Sequence, residues 1–141
     1  MLTTISNLLT ALLQLLKQKH QLSNDYQEHL LYERLQGGID EDIDRIKEIA
    51  LACGYSEDIS NADNSLQNAS AILETDDDVY NLELKTIQEI NKIINKIDNN
   101  KDEQIEGVFN EIVAKEGIKN MLGDICEKRV RDIYLLRFGS K

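Results

Sequence analysis

Leucines and isoleucines recur at helical spacing over most of this chain, and no run alternates with the period of two that a strand would show. Ile5, Leu8, Leu9, Leu12, Leu13, Leu15 and Leu16 make an unusually wide apolar stripe, which predicts a first helix over residues 3–21. Ser23 or Asn24 supplies a cap for a second helix that runs on to Ala52 and stops at Gly54. On its wheel Leu31, Leu35, Ile39, Ile43, Ile46, Ile49, Ala50 and Cys53 share one side. Residues 55–73 are polar and turn-rich, enough for one short helix in a long connection. Thr75 and Asp78 have the spacing of a capping box, with Asp76 and Asp77 in the first turn of a third main helix that ends near Asp98. Its stripe is Ile87, Ile90, Ile93, Ile94 and Ile97. A helical segment starts at Asp102 and carries Ile105, Val108, Phe109, Ile112 and Val113; Gly117 predicts a break, and a last helix follows from Ile118 to Phe138.

The pattern predicts an all-α domain spanning residues 1–141: four main helices, with a short helix in the long crossover between the second and third. Composition agrees, with no proline, 7 glycines and no tryptophan among 141 residues. A net charge of −10 argues against unaided binding to nucleic acid or an anionic membrane, and attracts cations. The stretch from Leu8 to Leu16 is interrupted by Thr10 and Gln14 and lacks a positive leader, so it reads neither as a signal peptide nor as a membrane span, and a cytoplasmic location is expected. Cys53 and Cys126 sit in apolar helical patterns without the close spacing of a zinc site or redox pair, which predicts buried, reduced thiols.

Candidate chemistry concentrates on the second helix, since both histidines of the chain, His20 and His29, lie in or beside it. If that helix is continuous, His29, Glu33, Asp44 and Glu48 fall at about 0°, 40°, 60° and 100° on its wheel, nearly opposite the apolar side. Glu33 and Asp44 would nevertheless stand about 16 Å apart along the axis, too far to share an ion. An antiparallel two-fold contact between copies, pairing residue i with residue 77 − i, would bring His29 and Glu33 of one chain to Glu48 and Asp44 of the other. That axis passes beside Gly37 and Gly38, whose small size would permit close helix crossing. The alternative is that the glycine pair ends one helix and a second begins near Asp40, with the acids as its first turn.

The order His20, His29, Glu33, Asp44, Glu48, followed by Leu51, Ala52, Cys53 and Gly54, resembles the ligand motif of the Dps miniature ferritins. Residues 133–137 also look like that family's closing helix, with Tyr134 where a tryptophan is usual. The resemblance implies a ferritin-like four-helix bundle and a ferroxidase site across a two-fold dimer interface. There His20, His29 and Glu33 of one chain and Asp44 and Glu48 of its neighbour would bind iron, with zinc or another divalent metal as a substitute. It further implies Fe(II) oxidation by peroxide or oxygen and storage inside a dodecameric shell. Two departures stand out: His20 precedes His29 by nine residues where the family has more, and Glu33 replaces an aspartate. No basic N-terminal tail is present, so DNA coating is not expected. The competing expectation is a ferritin-like structural or interaction protein without turnover.

Overall fold

A computed structural model describes residues 2–53, 65–99 and 112–138, with the backbone alone for 51–53, 65, 112–115 and 138. These residues form six helices and no strand: α1 (Leu2–Leu22), α2 (Tyr26–Gln36), α3 (Ile39–Cys53), α4 (Ser65–Thr75), α5 (Val79–Asp98) and α6 (Ile112–Phe138). The class is all-α, as the periodicity predicts.

α1 is the hub. Leu2, Ile5, Leu8, Leu9, Ala11, Leu12, Leu13, Leu15 and Leu16 are all buried, so the helix is apolar around most of its circumference over four turns. A helix of that kind cannot lie on a surface and must be covered from several sides. It is: α2, α3, α4 and α5 all pack on it, while α5 and α6 form a second extensive pair and α3 touches α6 only lightly. The expected stripes hold, with Leu35, Ile39, Ile43, Ile46 and Ala50 buried on α2 and α3, and Ile90, Ile93 and Ile97 on α5. Cys126 is a free thiol, half-buried on α6, and burial raises its pKa.

Several local expectations are corrected. The second main helix is not continuous: it stops at Gln36 and restarts at Ile39. Gly38 adopts φ +83°, a left-handed conformation that costs residues with a Cβ about 1–2 kcal/mol. The break satisfies its own backbone, because Gly37 N–H donates to the Arg34 carbonyl at 3.1 Å and Asp42 N–H to the Gly38 carbonyl at 3.0 Å. Asp40, Glu41 and Asp42 then occupy the first turn of α3, where the helix dipole favours negative charge. The glycine pair is therefore a stop rather than a crossing point.

The cap of α2 is Asp25, not Ser23 or Asn24; its carboxylate accepts from Gln27 N–H at 3.1 Å. Likewise α5 is capped by Asp78 itself, which accepts from Asn81 N–H, while Thr75 ends α4 and donates to the Ile72 carbonyl. Asp76 lies in the link rather than the first turn and pairs with Lys85 at 2.7 Å. That hydrogen bond from Lys85 holds the Asp76 carboxyl below the usual carboxylate range. Finally, α6 runs unbroken through Gly117, where a Cβ would meet nothing within 4 Å. The part of the expected helix over residues 102–111, and the stop at Gly54, lie outside the described residues.

Candidate metal centre

His20 stands in the last turn of α1, two residues before the helix ends. A short turn follows, in which Ser23 Oγ donates to the Asp25 carbonyl and Asp25 caps α2. α2 then folds back along α1 and returns His29 to His20. The two imidazole rings stack with centroids 3.8 Å apart and planes 28° apart. Glu33, one turn beyond His29 on the same face of α2, completes a group whose ligating atoms all lie within 4.8 Å of one another. Two donors on a common tetrahedral or octahedral ion sit about 3.0–3.4 Å apart, as follows from bond lengths near 2.1 Å.

Hydrogen bonding prepares the ligands. His29 Nδ1 lies 3.3 Å from the His20 carbonyl oxygen, which can only accept. In the neutral ring Nδ1 therefore carries the hydrogen and Nε2 keeps its lone pair for a ligand, the arrangement usual for a metal-binding histidine. His20 Nε2 is shielded from solvent and has no hydrogen-bond partner among the described residues. An unpartnered buried nitrogen costs free energy that a bound cation would recover. Two imidazoles and one carboxylate are the donor set of first-row transition metals such as Fe(II) or Zn(II), not of Ca(II) or Mg(II), which take oxygen ligands.

The five residues singled out in the sequence thus divide into two groups. His20, His29 and Glu33 come together within one chain, and the short spacing from His20 to His29 is what a helical corner requires. Asp44 and Glu48 lie exposed on α3, beyond the Gly37–Gly38 break, and neither joins the histidine group. Glu48 lines a cavity of about 430 Å³ with Arg45, Ile49, Asn120, Met121 and Asp124, between α3 and α6. The single-helix wheel does not run through the break between Gln36 and Ile39.

A second polar cluster escaped the sequence reading. Glu83 on α5 is fully buried, and its Oε1 receives Arg129 Nη1 at 3.2 Å; Arg129 Nη2 also pairs with Asp132 at 3.1 Å. Burial pushes the Glu83 carboxyl up to about 9 and raises Asp132 as well, while the Arg129 charge opposes both shifts. Glu83 keeps its proton near neutral pH, leaving one cation and one anion in the interior. The signal was present in the spacing. Val79, Glu83, Thr86, Ile90, Ile93 and Ile97 step by threes and fours, as do Ile118, Leu122, Ile125, Arg129, Asp132 and Leu136. Charged residues at those steps must face the partner helix.

Nearer the glycine break, Asp42 is buried and bridges Lys128 at 3.3 Å and Arg45 at 3.5 Å, tying α3 to α6. Among the described residues no helix is long and apolar enough to cross a membrane. Comparison with protein-family models, curated proteins and solved structures gave no match.

Proposed function

We propose that this chain binds a first-row transition-metal ion through His20, His29 and Glu33, and that Fe(II) is the substrate it handles there. The convergence of both histidines with one carboxylate at the α1–α2 corner carries this reading. Three protein ligands leave positions open for water and an oxidant. Oxidation by peroxide balances with two Fe(II) giving up one electron each, and two protons and the peroxide ending as two waters. In the miniature-ferritin form of the reading, Asp44 and Glu48 of a second copy add the anionic oxygens that favour Fe(III). Two-fold dimers of that kind would then assemble into a dodecameric, cytoplasmic iron store.

Aerobic Fe(II) oxidation, followed with and without peroxide, tests this. The wild-type chain should oxidise Fe(II) well above the buffer rate. Glu48→Gln should slow it strongly if copies share the site; an unchanged rate overturns the shared site. A ferritin-like binding or structural protein without turnover is the second reading, supported by a corner that gathers His20, His29 and Glu33 within one chain. Metal bound at the corner with no oxidation above buffer would select it.

A further inference from the structure

The helix that carries two of the three ligands is short and sends one fully buried side chain into the core. α2 has 11 residues, and Leu35 is its one buried residue. Leu31 and Tyr32 pack only in part against the core. Helices this short are marginal on their own and depend on packing. The polar ties of α2 to α1 are few: Gln36 Nε2 reaches the Leu16 carbonyl at 3.5 Å, and His29 the His20 carbonyl at 3.3 Å. Both ends are built to turn. A three-residue link precedes α2, and the left-handed Gly38 follows it. Neighbouring α3 differs, with Ile39, Ile43, Ile46 and Ala50 buried and Asp42 held by Lys128 and Arg45.

The ligands straddle the contact between α1 and α2. His29 and Glu33 move with α2, whereas His20 belongs to the hub helix α1. An ion bound by all three ties α2 to α1 at the corner where the two helices meet. From this geometry we infer that the metal centre is a latch: occupancy clamps α2 against α1, and removal lets α2 open from the otherwise folded domain. The inference rests on the metal reading above and adds a controlled element to it. A metal that binds only the closed arrangement suppresses opening in proportion to its concentration over Kd, so at a hundredfold excess opening falls about a hundredfold.

The test is hydrogen exchange on the full chain, metal-free and with Zn(II), which is redox-inert, alongside a calorimetric measurement of Zn(II) binding. With Zn(II) at a hundredfold over its Kd, amides of residues 26–36 should exchange about a hundredfold more slowly, while those of α5 are unchanged. His20→Ala should lose at least tenfold of that protection, because the remaining ligands lie on α2 alone. Glu33→Gln, at an exposed position, supplies a second variant that keeps the fold and should also lose protection. If Zn(II) binds and α2 exchanges as before, the latch is wrong and the metal site stands. If calorimetry detects no Zn(II) binding, the metal reading fails and the latch with it.

Discussion

The α1–α2 corner and the α5–α6 interface each gather three ionisable side chains, yet they solve opposite problems. At the corner, His20 and His29 are half-buried, Glu33 is exposed, and His20 Nε2 is shielded from solvent without a partner within the described protein. Between α5 and α6, Glu83, Arg129 and Asp132 are buried and ion-paired, while Glu83 Oε2 and Arg129 Nε have no hydrogen-bond partner among the described residues. The exposed Glu33 opens the first group to solvent, so its unpartnered nitrogen is an offer to a ligand. Nothing comparable reaches the second, where charge must be neutralised internally, by the Arg129 cation and by retention of a proton on Glu83. Unpaired polar atoms therefore mean different things by location: binding capacity at the rim, and free-energy cost inside.

Arg129→Met breaks the interior cluster most directly. It leaves the Asp132 charge without its cation, and urea denaturation should show a loss of about 3–5 kcal/mol. An unchanged midpoint would mean that the two acids are not held as described. The corner should be untouched, with Zn(II) affinity retained by whatever fraction folds.

The pH dependence of stability separates the regions next. Glu83 has a folded pKa near 9, above its ordinary value of 4.5, so the folded state binds the extra proton between those limits. Its stabilising contribution is complete below the ordinary value and falls as pH rises toward 9, by on the order of a few kcal/mol over the window. Thermal melts between pH 5 and 9 should show that decline, and Glu83→Gln, which cannot ionise, should flatten it. A slope unchanged by the substitution would show that Glu83 does not carry the proton.

The smallest effect is expected at the corner. Asp25→Ala removes the cap of α2, worth about 1 kcal/mol, and so weakens Zn(II) binding by about fivefold with little change in global stability. A large loss of global stability from this substitution would make α2 part of the cooperative core and erase the contrast between the regions.

Much of the helical content was legible because it is local. The wide stripe from Ile5 to Leu16 implies a buried helix before any partner is known, and the isoleucines from Ile90 to Ile97 imply a packed face. The ligand types were legible too, since two histidines with an acid one turn after the second form an unusual conjunction. The Gly37–Gly38 pair was ambiguous, because small residues serve close crossings and helix stops alike, and φ at Gly38 depends on how the chain leaves Gln36 to reach Lys128. Long-range partners were not legible as pairs: Arg129 lies 46 residues from Glu83, and Lys128 lies 86 from Asp42.

The sequence by itself determined an acidic, all-helical chain with one helix apolar around most of its circumference, and it singled out His20, His29 and Glu33 as ligand types. Periodicity and residue chemistry act over a turn or two of backbone, so they can be read without knowing the fold. Tertiary structure alone decided that the His20 ring stacks on His29, that the helix breaks at Gly37–Gly38, and that Glu83 shares the interior with Arg129 and Asp132. Those outcomes depend on the direction of each helix after its turn, and burial against a distant segment sets that direction.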